Sequence, residues 1–302
     1  MFDMQVLGPP VAVGTAAALR VDPLRRLAPQ LALAVAFLVL YWMPITTLAR
    51  DWWSDPEAGH GLLLAPLAFY MAWKRGIRAD ATAQPLLGLL VLTGAVLLRY
   101  VSGLAAELFT LRMSLMMAAG GLIVFQYGVR QLVHWWLPAA LLLLSVPLPS
   151  VLVGTLALPL QFQASKIGAA LLEMRQVPVA LEGNVLRIPG RTLFVTEACS
   201  GLRSLSALIS LGVLIGGWWL RYPAARLLLL ALTLPVAVLL NGIRVFLTGF
   251  LVFYVDPALG EGFMHLTEGW IIFVVAFLIL GAFAWLLLRG ERLYGRFRAR
   301  AA

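Results

Sequence analysis

Ala224-Ala225-Arg226-Leu227-Leu228-Leu229-Leu230-Ala231-Leu232-Thr233-Leu234-Pro235-Val236-Ala237-Val238-Leu239-Leu240-Asn241-Gly242-Ile243-Arg244-Val245-Phe246-Leu247 sets how the rest of the chain is read. It is apolar over the length that a bilayer core requires. It closes on two polar residues, Asn241 and Arg244. An arginine that deep in an apolar run is costly, so it must pair, snorkel outward or face a cavity. Comparable runs recur, and the pattern predicts about eight spans. They cover 31–48, 61–73, 86–101, 113–127, 134–151, 199–220, 224–247 and 267–288. Arg99, Glu107 and Arg112 interrupt the third and fourth.

The expected architecture is an all-α polytopic membrane protein. It has one integral membrane domain over 1–302, with a small extracytoplasmic helix and β-hairpin segment at 149–198. Composition agrees. The chain is 62% hydrophobic and 12% charged, with a mean hydropathy of +0.92. A soluble domain carries roughly twice that share of charge.

The net charge of +9 invites a nucleic-acid partner, but the basic residues are not clustered with aromatics on one face. They fall in short loops between apolar runs, around Arg20–Arg26, Lys74–Arg78, Arg130, Arg221 and the C-terminal arginines. A positive-inside bias produces that distribution, so these loops and both termini are expected on the cytoplasmic side. The outer side then holds 51–60, 149–198 and 255–266. The opening stretch carries Pro9 and Pro10 and reads as neither a cleavable signal peptide nor, lacking a terminal Cys, a lipid-attachment site.

Segment 156–175 mixes Leu160, Ile167, Leu171 and Met174 with Gln161, Gln163, Lys166 and Glu173. That spacing suits an amphipathic helix lying at the interface. Segment 177–195 alternates as strands, with turns at Glu182-Gly183-Asn184 and Pro189-Gly190.

Cys199 is the single cysteine and begins the sixth apolar run. A helix N-terminus favours the thiolate, and Arg203 lies one turn on. The bland alternative is a small packing residue. Arg244 presents a fork of donors suited to a thiolate or an oxyanion, and Asn241 is one turn earlier on the same face. As an alternative, Arg244 is an interfacial anchor. His265 starts the last span, where Thr267 is a candidate cap. It is a candidate proton shuttle beside a cysteine, or a plain interfacial histidine. His60, after Trp52 and Trp53, supports the site or marks a boundary. Glu268, in the run Thr267-Glu268-Gly269, is a further supporting candidate. No metal-ligand set and no cofactor motif is expected.

Together, Cys199-Ser200-Gly201-Leu202-Arg203-Ser204-Leu205, Asn241-Gly242-Ile243-Arg244-Val245, His265 with Gly269, His60-Gly61 and Glu182-Gly183-Asn184 resemble the exosortase/archaeosortase family of membrane-embedded cysteine transpeptidases. The resemblance implies Cys199, Arg244 and His265 as catalytic residues at the periplasmic face of a Gram-negative inner membrane. It implies as partners secreted proteins with a C-terminal sorting motif (often Pro-Glu-Pro), a transmembrane helix and a basic tail. It further implies an amine acceptor and a host that makes exopolysaccharide or biofilm. Membrane lipid is the remaining expected partner. Two other readings stay open from the residues: a transporter or channel for an envelope or polysaccharide component without cysteine chemistry, and a structural subunit of an envelope assembly.

Overall fold

The computed structural model describes residues 23–55, 58–189, 191–195, 202–256 and 262–301. An N-terminal unit, 1–43, carries α1 (Pro23–Leu40) and is separate from a second unit spanning 44–302. The helices after α1 are α2 (Trp42–Ser54), α3 (Gly61–Arg75), α4 (Pro85–Leu104), α5 (Leu108–Tyr127), α6 (Val129–His134), α7 (Trp136–Leu144) and α8 (Ser150–Met174). Strands β1 (Ala180–Glu182), β2 (Val185–Ile188) and β3 (Arg191–Phe194) follow, then α9 (Leu202–Trp219), α10 (Pro223–Tyr254) and α11 (Gly262–Ala301).

Among the described residues, four helices are long and apolar enough to cross a membrane: Pro85–Leu104, Leu108–Tyr127, Pro223–Tyr254 and Ile271–Arg296. A fifth is reached if Gln30–Leu40 and Trp42–Ser54 count as one broken span. The expectation of eight is therefore supported only for these. Run 31–48 is interrupted at Tyr41, and run 134–151 is broken between α6 and α7 and again after Leu144. Helix α3 has only 15 residues, and the apolar part of α9, Ser206–Trp219, falls short as well. Turns and breaks inside an apolar run leave its hydropathy unchanged, so hydropathy alone does not mark them.

Two ends of the bundle can be told apart by their polar contacts. At one end the loop after α3 meets α6: Arg75 Nη1 donates to His134 O (2.9 Å), Gln131 Nε2 to Gly76 O (3.2 Å) and Trp135 Nε1 to Gly76 O (3.1 Å). Arg226, at the start of α10, stacks 4.9 Å from the Trp136 ring at this same end. At the other end, Trp52 Nε1 donates to Ser145 O (2.7 Å), and buried Arg112 pairs with Asp51 (2.7 Å). Arg112 thus has a carboxylate partner, which offsets part of the cost that made this run look interrupted. Glu107 caps α5, its carboxylate accepting from the backbone N–H groups of Phe109 and Thr110.

Helices α9, α10 and α11 form the second half. They pack through Leu208, Ile215, Leu229, Val236, Leu240, Ala276, Leu280 and Ala284. Gly212 lies against Thr233 and Gly216 against Leu229, so α9 runs antiparallel to α10. Helix α8 packs along α10 on the opposite flank.

The three strands make an antiparallel meander, β1-β2-β3, as the alternation predicts. Gly183 takes φ +65°, where tight hairpins of type II′ place glycine at the first turn position. Leu186 and Ile188 bury inward with Val177 and Val195, joining Ala164 and Leu172 of α8 and Val245 and Val252 of α10.

On α8 Leu160, Ile167 and Leu171 are half-buried and Met174 is 78% exposed. The buried face is Gln161, Ala164, Ser165, Gly168, Ala169 and Leu172. Inside a membrane small residues let helix backbones approach, whereas large apolar residues gain no more from a neighbouring helix than from lipid. A Cβ on Gly168 would sit 2.5 Å from Val245 Cγ1, and one on Gly242 2.5 Å from Ile167 Cγ2.

Candidate functional site

Asn241 and Arg244 stand one turn apart on α10, on the face that carries Ala237 and Leu240. They line a narrow space of about 10 Å³ with Leu208 of α9 and Ile272, Phe273 and Ala276 of α11. That volume is room for one water molecule at most. Asn241 is 5% exposed, and its Nδ2 finds no hydrogen-bond partner among the described residues. A buried amide left unpaired costs about 1–3 kcal/mol, so a native structure that keeps one calls for an explanation. Arg244 is half-buried beside it.

Arg244 is remote from the basic end of α10. The rise of 1.5 Å per residue sets it about 30 Å from Pro223, one bilayer core away. Helix α11 runs back the same way: Ile272 neighbours Arg244, whereas Glu291 accepts from the backbone N–H of Tyr222. Arg244 therefore belongs to the end of the bundle opposite the arginine-rich turns.

Cys199 lies outside the described residues, as do the side chains of Arg203, His265 and Glu268. Their chain positions are still bounded. Helix α9 begins at Leu202, about two turns before Leu208, which touches the Asn241 space. His265 lies on α11 about two turns, roughly 10 Å, before Ile272, so its backbone position falls on the helix stripe that carries Ile272. Glu268 lies on the same stripe, one turn before Ile272.

His60 has a different setting. Its Nε2 lies 3.2 Å from Leu144 O, so this nitrogen carries the proton in that bond. It sits beside Trp52, which is held on Ser145, and Gly61 abuts the Trp52 ring so closely that a Cβ would lie 2.1 Å from Nε1. These contacts fasten the turn before α3 to the end of α7.

The sequence reading gave two residues near the segment bearing Cys199 no role of their own. Asn184 Nδ2 donates to Gln161 Oε1 (3.1 Å) and to Val195 O (3.1 Å), and Asn184 O accepts from Val195 N (2.9 Å). Val195 is the last described residue before the segment bearing Cys199. The clamp fixes where that segment leaves the sheet. Gln161, named above among the polar residues of an amphipathic helix, is 5% exposed and receives the Asn184 bond. A polar residue every third or fourth position on a helix signals a face, but not whether that face meets water or a hydrogen-bonding partner.

A family model described as Transmembrane exosortase (Exosortase_EpsH) matches residues 52–282. The chain belongs to the transmembrane exosortase family. It is a sorting-enzyme-like, multi-pass membrane protein. The exosortase match takes in Asn241 and Arg244, the Asn184 clamp, His60 and the positions of Cys199 and His265. No curated relative and no solved structure matched the chain.

Proposed function

We propose that the chain is a cysteine transpeptidase or peptidase that cleaves the C-terminal sorting tail of secreted proteins at the periplasmic face of the bacterial inner membrane. The observation that carries this reading is the buried Asn241 amide beside Arg244, at the end of α10 away from the arginine-rich turns, within the exosortase match.

Cys199 as thiolate attacks a peptide carbonyl at the sorting motif, and the carbonyl oxygen takes up the negative charge. Arg244 donates hydrogen bonds to that oxyanion, in a site with little water to compete. Asn241 Nδ2 supplies a further donor to substrate. Collapse of the tetrahedral intermediate breaks the C–N bond, and His265 protonates the leaving amine. The product is a thioester on Cys199. An incoming amine, or water, then gives up its proton to His265 and displaces the thiolate. Arg203 stabilises the thiolate from the first turn of α9, and Glu268 orients His265 on α11. His60 supports the outer end of the bundle.

The test is co-expression with a secreted reporter bearing a sorting motif, a transmembrane helix and a basic tail. Wild type is expected to shorten the reporter. Cys199→Ala is expected to abolish shortening while keeping the same detergent melting temperature. Arg244→Ala is expected to slow it by about 100-fold or more, the scale of a lost oxyanion donor. Normal shortening by Cys199→Ala contradicts the assignment.

A further inference from the structure

Where α9 ends, α10 begins and α11 leaves the apolar core, the bundle opens into a pocket of about 820 Å³. Three arginines, Arg221, Arg292 and Arg296, line it together with the aromatic residues Trp218, Trp219, Tyr222 and Trp285. The one carboxylate among its lining residues, Glu291, is already engaged. It accepts from the backbone N–H groups of Arg221 (3.0 Å) and Tyr222 (2.9 Å), closing the turn between α9 and α10. Glu291 therefore braces the wall and leaves the three arginine side chains without a carboxylate partner among the described residues. Two ring contacts stiffen the rim. Arg289 stacks 3.7 Å from the Trp285 ring, and Tyr222 meets Tyr294 edge-on at 6.1 Å.

We propose that this pocket binds the headgroup of an anionic phospholipid. The volume lies in the range of small-molecule sites. The excess positive charge selects an anion, and guanidinium forks match phosphate oxygens. The rings and Leu288 continue into the apolar surface of α9 and α11, so the occupant is amphiphilic rather than a free ion. Basic pockets between transmembrane helices on the cytoplasmic side are suited to such headgroups. Scattered snorkelling arginines would account for charge at this depth, but not for three of them around one concavity. The proposal rests on the membrane-spanning reading of α10 and α11 and not on the sorting reaction.

The test is native mass spectrometry of the full chain, released from vesicles of equal phosphatidylglycerol and phosphatidylcholine. Wild type is expected to retain phosphatidylglycerol in preference to phosphatidylcholine. The preference is expected to fall about fivefold for each arginine removed in R221Q, R292Q and R296Q. R292K/R296K, which keeps charge and loses the fork, is expected to fall between wild type and R292Q/R296Q. Arg130→Gln, at a 72% exposed arginine of α6 outside the pocket lining, is expected to change nothing. Millimolar inorganic phosphate is expected not to displace the lipid. Equal retention of both lipids by wild type overturns the proposal, and that result needs no variant to fold. A preference unchanged in the folded variants, or displacement by phosphate alone, overturns it equally.

Discussion

Asn184 stands at the end of the sheet from which the chain continues to Cys199. Its amide bonds Gln161 on α8 and the carbonyl of Val195 at the end of β3. Asn184→Ala strands both acceptors and is expected to cost about 1–3 kcal/mol. If the Asn184–Gln161 bond is what matters, the loss in N184A/Q161A is smaller than the sum of the single losses. Detergent melting of the four proteins checks this, and strict additivity would count against the clamp. A second readout is expected to follow: Asn184→Ala slows alkylation of Cys199, because the segment no longer leaves the sheet from a fixed point. At this scale the sequence was only partly informative. Asn241 and Arg244 announced themselves as polar residues in an apolar run. Gln161 and Asn184 did not, because a glutamine on an amphipathic helix and an asparagine in a turn are both ordinary where they stand.

Helix packing raises the next question, since α8 and α10 approach closely only where side chains are missing. A Cβ on Gly242 would lie 2.5 Å from Ile167 Cγ2, in the turn of helix that carries Asn241 and Arg244. Gly242→Ala is expected to push the helices apart, to destabilise by about 1–3 kcal/mol and to lower reporter shortening. Gly281→Ala has nothing within 4 Å of the new methyl and is expected to be neutral or slightly stabilising. Equal melting of the two variants would contradict the close-packing account. The cap of α5 gives a pH prediction. Bonds from the Thr110 side chain and backbone, with a smaller contribution from Phe109 and the Arg112 charge, hold the Glu107 carboxyl below its ordinary value. A depressed carboxyl stabilises fully above its unfolded value and loses that stabilisation as pH falls through its folded value. Stability is thus expected to be flat near neutral pH and to fall as pH drops below about 4.5. Glu107→Gln is expected to melt lower at pH 7 and to show a shallower fall. Parallel pH profiles for the two proteins would remove Glu107 from the account. The strands were foreseeable because alternation and the Gly183 turn are local. The buried face of α8 was not, because periodicity marks two faces and only packing decides which one a membrane protein turns inward.

For the whole molecule, the contacts separate two ends. Arg75, Gln131, His134 and Arg226 gather at one, and Asp51, Trp52, Arg112 and Ser145 at the other. The alternation of arginine-rich loops foretold that division, since positive charge resists transfer across the bilayer whatever the fold. Among the described residues, four helices, or five with the bent pair, support part of the expected eight spans; the breaks at Tyr41 and after Leu144 were not legible because they cost nothing in hydropathy. The account's central claim is that Cys199 is an activated thiol at the end of the bundle that Arg244 occupies. It is tested most directly by labelling intact cells with a membrane-impermeant thiol reagent across pH, because the chain has one cysteine and the signal one source. The account predicts rapid labelling that persists below the pH at which an ordinary thiol falls silent, and that slows in Arg244→Ala. Labelling only after the cells are opened would place Cys199 on the cytoplasmic side and contradict the account.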